Sequence, residues 1–124
     1  AEWLEKHPKI SRVFYPELKT NCQFEIAMRQ QSKGGAIVSF ELFDLFPETK
    51  NLTAWKVIDK TKIFSKSGNL GDTRSIITHP SSTTHSRISK YFRKKSGITH
   101  LLVRLSIGLE DVNDLINDLN EALS

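Results

Sequence analysis

The segment LLVRLSIGLEDVNDLINDL, residues 101–119, constrains the fold more than any other part of the chain. Its first half alternates with the period of a β-strand, which places large apolar side chains on one face. That face comprises Leu101, Val103, Leu105 and Ile107, and the opposite face comprises Leu102, Arg104 and Ser106. The second half has helical periodicity and predicts a closing helix with one apolar stripe. The stripe comprises Leu109, Val112, Leu115, Ile116, Leu119 and Leu123, with Glu110 and Asp111 in the first turn. A strand followed by an amphipathic helix predicts a sheet covered by helices.

The rest of the chain is predicted to alternate between short strands and short helices. The strands are expected at 10–16, 36–42, 62–65 and 75–79, and the helices at 20–31, 52–61 and 85–95. Pro47 marks a turn and Asn51 a helix cap. The opening EWLEKH is typical of the end of a helix, and no initiator methionine precedes it, which hints at a piece of a longer or processed chain. The predicted fold is α+β (α/β) in one domain, residues 1–124: a small, mainly antiparallel sheet with helices packed on one face.

The charge of the chain is unevenly distributed. There are 18 basic and 14 acidic residues, and much of the excess lies in HSRISKYFRKKSG, residues 85–97. On a helix, Arg87, Lys90, Tyr91 and Lys94 would share one face. Such a face could neutralise phosphates, but no helix-turn-helix, zinc-finger or RNP pattern accompanies it. A solvated helix face is therefore favoured and no nucleic-acid partner is expected, with nucleic-acid binding kept as a minor alternative.

The cellular compartment is indicated by three kinds of sequence feature: membrane-spanning segments, signal peptides and cysteines. No apolar run is long enough to span a membrane, and the polar start is unlike a signal peptide, so no membrane partner is expected. The single cysteine, Cys22, allows no internal disulfide and suits a reducing compartment. These features favour a cytoplasmic location.

Arg104 is the candidate site residue that the alternation itself singles out. A guanidinium is always charged and offers a planar fork of donors. In the middle of a strand it has little remaining freedom. It could form an ion pair on an open sheet face, or it could clamp a carboxylate or phosphate through two parallel hydrogen bonds. Spacing alone does not separate these two alternatives.

Other reactive side chains are better explained by structural roles. His79 and His85 lie six positions apart, which matches no zinc pattern, so no metal site is expected and both are predicted to fix the turn around Pro80. The hydroxyls at 81–84 are predicted to cap the basic helix rather than to act as nucleophiles. Asp72 and Arg74 are expected to form a local ion pair.

Two long motifs resemble one enzyme family. SGNLGDTRSIITHPSSTTH, from residue 67, and LLVRLSIGLEDVNDLINDL, from residue 101, are similar to the C-terminal domain of the Cys/Met-metabolism enzymes. These are trans-sulfuration enzymes of fold type I that depend on pyridoxal 5'-phosphate (PLP). HPKISRVFYPEL and GGAIVSFEL also resemble upstream segments of the family, although Glu17 stands where the family usually has glycine. NLGDT followed by ITHP is most similar to the O-succinylhomoserine sulfhydrylase branch.

The resemblance implies a substrate-binding role for four residues. Arg104 would clamp the α-carboxylate of the substrate. Asn69 and Leu70 match the loop that lines the substrate side of the cofactor, and Thr84 matches a threonine near the same pocket. The resemblance assigns no catalytic, cofactor-binding or metal-binding residue to this chain, because the Schiff-base lysine of the family belongs to a Ser-x-Thr-Lys context that is absent here.

The resemblance therefore implies a full-length protein longer than this chain. We expect a fragment that is inactive alone and holds no PLP, whose partners are the large PLP-binding domain of the same polypeptide, an amino-acid substrate and further copies in a homotetramer. The implied reaction is γ-replacement on O-succinylhomoserine or O-acetylhomoserine, giving homocysteine. The alternatives are a cystathionine γ-synthase or γ-lyase, a methionine γ-lyase, and a stand-alone module that binds a small ligand or protein without catalysis.

Overall fold

The computed structural model describes residues 1–44 and 52–124, and their elements follow the predicted order. The predicted turn at Pro47 and cap at Asn51 lie outside these described residues. The helices are α1 (Glu2–Lys6), α2 (Phe24–Gln30), α3 (Leu52–Lys60), α4 (Lys90–Lys95) and α5 (Val112–Leu123). The strands are β1 (Ile10–Phe14), β2 (Ile37–Leu42), β3 (Ser65–Lys66), β4 (Ile76–Thr78) and β5 (Leu102–Ser106).

The five described strands form one sheet in the order β1-β2-β5-β4-β3. The pairs β1–β2, β2–β5 and β4–β5 are antiparallel, and β3 pairs with β4 in parallel. The sheet is thus mixed, with the antiparallel majority that the sequence predicts. The central strand is β5, which is hydrogen-bonded on both sides, so its side chains are held in register by two neighbours.

The core lies on one face of the sheet, under α1, α3 and α5. Phe40 and Val103 are opposite one another on β2 and β5, and neither is exposed to solvent. Ile58 of α3 is equally inaccessible, and Leu119 of α5 is 4% exposed. Helices packed on this face confirm the predicted architecture, since the apolar side of each alternating strand needs a partner that excludes water.

The closing helix differs from the prediction at its start. It begins at Val112, with Asp111 as the N-cap whose carboxylate accepts from the Asn113 N–H at 2.8 Å. Leu109 and Val112 are 83% and 62% exposed, so the predicted apolar stripe does not include them. Leu109 lies in the connection between β5 and α5, where it donates its N–H to the Thr73 carbonyl at 2.8 Å. Glu110 consequently precedes the helix.

The basic segment also differs from the prediction, because α4 begins at Lys90 and not at residue 85. Ser89 is its cap, accepting from Phe92 N–H, and residues 80–88 form turns. The hydroxyls at 81–84 therefore do not cap this helix. The predicted basic face loses Arg87, which precedes the helix. Within the described residues, no helix is both long enough and apolar enough to cross a membrane.

The second face of β5 is less open than its alternation suggests. Leu102 and Ser106 are 8% and 1% exposed. Ser106 is covered because the loop that joins β3 to β4 lies across it, with the Gly71 N–H donating to the Ser106 hydroxyl at 3.0 Å. This loop, residues 67–75, brings the candidate site residues together.

Candidate substrate-carboxylate site

Arg104 stands at the centre of the sheet, on the face opposite the core. Its register partners are Ser39 on β2 and Thr78 on β4. Both neighbours are small and polar, which leaves the long arginine side chain room to cross the sheet surface. Two hydrogen-bonded flanking strands restrict the backbone at Arg104, so the direction in which the guanidinium points is set by the sheet.

The guanidinium is held by the loop rather than by a carboxylate. Its Nη2 donates to the carbonyl of Gly68 at 3.0 Å and to that of Asn69 at 3.2 Å. Its Nε is buried and meets no acceptor among residues 1–44 and 52–124. A buried donor without a partner is costly, and such groups in native proteins call for an explanation. The sequence left open an ion pair of Arg104 with a carboxylate of the chain, and among the described residues no such ion pair exists. The guanidinium instead keeps a donor, Nε, that is free to bind a ligand.

The loop that holds Arg104 is ordered by its own polar groups. Gly71 has φ +80°, a left-handed conformation that favours glycine, and this places its N–H on Ser106. The Asp72 carboxylate accepts from the Arg74 N–H at 3.3 Å and from the Thr73 hydroxyl at 3.1 Å. The first of these hydrogen bonds is the main reason that the pKa of Asp72 is lowered. Asp72 thus contacts the backbone of Arg74, in place of the predicted ion pair.

Thr84 and Leu70 lie at the borders of this arrangement. Thr84 approaches the loop at Gly68, where an added Cβ would stand 3.3 Å from its methyl group. Its hydroxyl is hydrogen-bonded to His85 Nδ1 at 2.8 Å. Leu70 is 59% exposed on the outer part of the loop. The structure therefore brings together Arg104, the backbone of Asn69 and Thr84, while Leu70 shares the loop without a described contact to the guanidinium.

His79 is buried beside this site and has a structural role. Its Nδ1 is hydrogen-bonded to the Ser82 hydroxyl at 2.7 Å, and its Nε2 to the His100 carbonyl at 2.9 Å. The Ser82 oxygen also accepts from Trp55 Nε1 at 3.1 Å. Burial is the main cause that lowers the pKa of His79. These contacts confirm that His79 fixes the turn after Pro80. Among the described residues, no group of three His, Cys, Asp or Glu side chains could hold a metal ion.

Two residues that support the loop were missed by the sequence analysis. Ser75 is fully buried, and its hydroxyl and N–H both donate to the carboxylate of Glu110. Glu110 was predicted to lie in the first turn of α5 together with Asp111. The sequence did contain a signal for this contact: Glu110 and Asp111 are adjacent carboxylates, and a helix N-cap needs only one of them.

Comparison with known proteins places the chain in a family. A family model described as Cys/Met metabolism PLP-dependent enzyme matches residues 1–124. An O-succinylhomoserine sulfhydrylase of Pseudomonas aeruginosa is 44% identical over 124 residues, which is 100% of this chain and 30% of that protein. An L-methionine gamma-lyase of Fusobacterium nucleatum subsp. polymorphum is 48% identical over 123 residues, covering 99% of this chain and 30% of that protein.

A solved structure matches equally well in three dimensions. It is a crystal structure of a protein described as an O-acetylhomoserine (thiol)-lyase from Campylobacter jejuni, and it contains N'-pyridoxyl-lysine-5'-monophosphate. The TM-score is 0.89 at 39% identity, over 99% of this chain and 28% of that one. The chain thus spans about 30% of the length of the curated relatives it matches.

Proposed function

Because the chain belongs to the Cys/Met metabolism PLP-dependent enzyme family, we propose that it is the C-terminal, substrate-binding domain of a longer trans-sulfuration enzyme. In this proposal the large PLP-binding domain lies in the same polypeptide, and the complete enzyme is a homotetramer built as a dimer of dimers. The chain itself contributes the group that holds the carboxylate of an amino-acid substrate and is inactive alone.

The observation that carries the proposal is the set of hydrogen-bond partners around Arg104. Two loop carbonyls take hydrogen bonds from Nη2 and orient the guanidinium, while the buried Nε has no described acceptor. A carboxylate accepts parallel hydrogen bonds from a guanidinium fork, and such charge-assisted pairs are about twice as strong as neutral ones. Asn69 supports Arg104 through its backbone carbonyl, and Thr84 packs against the loop at Gly68. Leu70, at the rim, would line the substrate side of the cofactor.

We assign the carboxylate of the substrate, and not PLP, to the described residues. The groove along the loop is lined by residues 68–73, which include the Asp72 carboxylate. The cation beside it is Arg104, which we assign to the substrate carboxylate. Lys66, beside the loop in sequence, donates to the Asp59 carbonyl at 2.8 Å. In the family the cofactor supplies an electron sink. The groups that bind it would come from the remainder of the polypeptide, and this chain would fix the orientation of the substrate's carboxylate end.

The reaction that we propose is γ-replacement: a sulfide-level sulfur nucleophile takes the place of the acyloxy group of O-succinylhomoserine or O-acetylhomoserine, giving homocysteine and releasing succinate or acetate. The NLGDT and ITHP segments support the O-succinylhomoserine sulfhydrylase branch, as does the 44% identity to the Pseudomonas aeruginosa protein. A γ-lyase is the second candidate, because the methionine gamma-lyase from Fusobacterium nucleatum is 48% identical. Product analysis separates the two: replacement yields homocysteine, whereas elimination from methionine yields a keto acid, ammonia and a thiol.

The first test is Arg104→Ala in the full-length enzyme. We expect kcat/KM for the amino-acid substrate to fall roughly 10- to 150-fold, the equivalent of about 1.5–3 kcal/mol for a lost charged hydrogen-bond contact. Cofactor absorbance should not change, because the guanidinium contacts the substrate. Arg87→Ala, which removes an exposed guanidinium, is the matched control. An unchanged kcat/KM in Arg104→Ala would contradict the assignment.

The proposed domain organisation needs its own measurement. An antibody against this chain, applied to an extract of the source organism, should detect a polypeptide about three times as long, as the 30% coverage of the relatives suggests. A product of this chain's own length would instead favour the stand-alone binding module. Titration with amino-acid carboxylates would then become the decisive experiment.

A further inference from the structure

Three residues form a hydrogen-bonded latch at the base of the 67–75 loop: Ser75, Gly108 and Glu110. The Ser75 hydroxyl donates to Glu110 Oε2 at 2.8 Å and accepts from the Gly108 N–H at 2.8 Å. The Ser75 N–H donates to both carboxylate oxygens of Glu110, at 2.8 and 3.2 Å. Because a hydroxyl has one proton and two lone pairs, this arrangement uses its donor fully and leaves the oxygen held between two elements.

The latch lies where the loop and the end of β5 approach most closely. Gly108 has no room for a side chain, because an added Cβ would stand 2.3 Å from the Thr73 carbonyl oxygen. Leu109 adds a backbone hydrogen bond to the same carbonyl at 2.8 Å. The backbone of the loop therefore contacts the backbone at residues 108 and 109 directly. Glu110 adds side-chain hydrogen bonds to Ser75 at the same contact.

The other end of the loop supports Arg104. The carbonyls of Gly68 and Asn69 accept from its guanidinium, and Gly71 is tied to Ser106 between the two ends. Arg104 and Ser106 lie on β5, and Gly108 is the second residue after it. Loop and strand are thus joined at three successive places, and a change at the latch alters where the two carbonyls stand relative to the guanidinium.

We propose that Glu110 is a positioning residue for the substrate carboxylate: through Ser75 it seats the 67–75 loop on β5 and so aims the Arg104 guanidinium. This inference rests on the proposed function, since it assigns Glu110 a role in the same site. Glu110 touches neither substrate nor cofactor in this assignment. Its effect passes through the backbone of the loop.

The charge of the latch agrees with this role. An anionic carboxylate accepts the Ser75 N–H and hydroxyl more strongly than a neutral group would. The hydrogen bond from the Ser75 backbone is the main cause that lowers the pKa of Glu110, and Arg74 adds a smaller effect in the same direction. Because the pKa lies below the ordinary value for glutamate, the latch stays ionised at neutral pH. The amide of a glutamine would keep the acceptor oxygen but not the charge.

The experiment compares Glu110→Ala, Glu110→Gln and Asp111→Ala in the full-length enzyme. Asp111 is the matched control, because it is the adjacent carboxylate and caps α5 without contacting the loop. For Glu110→Ala we expect KM for the amino-acid substrate to rise about tenfold with kcat changed much less, as a misplaced positioning contact would produce. Glu110→Gln should recover part of the loss. Asp111→Ala should lower thermal stability and leave KM unaltered.

A double-mutant cycle tests whether Glu110 acts through Arg104. If it does, Glu110→Ala should add no further loss of kcat/KM in an Arg104→Ala background, because the group that it positions is gone. A purely structural effect would reduce activity by the same factor in both backgrounds, which would overturn the inference. The inference is also overturned if Glu110→Ala and Asp111→Ala give the same KM. Failure of the proposed function is distinguishable, because Arg104→Ala alone would then leave substrate capture intact.

Discussion

Arg93 and Arg104 each donate to more than one backbone carbonyl, and their surroundings differ. Nη1 of Arg93 donates to the carbonyls of Ser81, His85 and Ser86, at 3.1–3.3 Å. Arg104 donates to two loop carbonyls and keeps a buried Nε without a described acceptor. The first arginine lies in a basic segment on α4, and the second lies alone in an apolar strand.

This difference shows that the local charge in the sequence does not predict the partners of an arginine. The basic segment draws attention in the sequence, yet its half-buried guanidinium serves to hold the turn at 80–88 together. The single arginine of β5 lies in a strand that is paired on both sides, and its buried Nε meets no acceptor within residues 1–44 and 52–124. An unused buried donor is expensive unless a ligand accepts from it.

Among the predicted changes in stability, we expect the largest from Gly108→Ala, which disturbs the loop that holds Arg104. The added Cβ would meet backbone atoms of Thr73, Arg74 and Ser75 at 2.3–2.6 Å, so the loop must leave β5. We expect a loss of about 3 kcal/mol in the free energy of unfolding, at the upper end for overpacking. Denaturant unfolding measures it.

Gly97→Ala is the control for Gly108→Ala. Its added Cβ would meet no atom within 4 Å, so only the backbone strain at φ +71° remains. That strain costs about 1 kcal/mol. Equal losses of unfolding free energy in the two variants would show that the loop is not packed tightly against the residues that follow β5. The loop could then not be what orients Arg104.

Arg93→Ala should separate stability from substrate binding. Its removal leaves the carbonyls of Ser81, His85 and Ser86 without the donor, and we expect the free energy of unfolding to fall by about 2 kcal/mol. In the full-length enzyme, kcat/KM per folded molecule should stay within about twofold of that of the unmodified protein, because the described hydrogen bonds of Arg93 go to the turn and not to the 67–75 loop. A large fall in kcat/KM would mean that Arg93 also serves the substrate site.

The smallest expected effect concerns the pH dependence of the turn that Arg93 holds. His79 is buried, and burial is the main cause that lowers its pKa. The hydrogen bond to the His100 carbonyl opposes this, while the charges of His100 and Arg93 lower the pKa further. Since the unfolded chain binds a proton near pH 6.5 and the folded chain does so only at lower pH, stability should decline as the pH falls below about 6.5. One proton limits the slope to about 1.4 kcal/mol per pH unit.

Unfolding measured between pH 7 and pH 5 tests this slope. His79→Asn should flatten the curve while His7, whose pKa is also lowered mainly by burial, contributes equally to both proteins. An unchanged slope in His79→Asn would show that the proton uptake belongs to another group.

Much of the fold could be predicted because the relevant signals are local. Alternation over residues 36–42 and 101–107 predicts β2 and β5, and the residues on the expected inner faces, such as Phe40 and Leu105, are buried. Helical spacing predicts α3 and most of α5. Each of these signals depends on the period of a single element, so it survives without knowledge of what the element packs against.

The sequence by itself determined the order of the elements, the family resemblance and the candidacy of Arg104. Only the tertiary structure decided that α4 begins at Lys90, that Leu109 and Val112 are exposed, and that β3 joins the sheet in parallel. It also decided the partners of Arg104 and Glu110, which lie 36 and 35 positions away in the chain. Hydrogen bonds over such separations depend on how the loop is seated on the sheet, and no period within either segment encodes that seating.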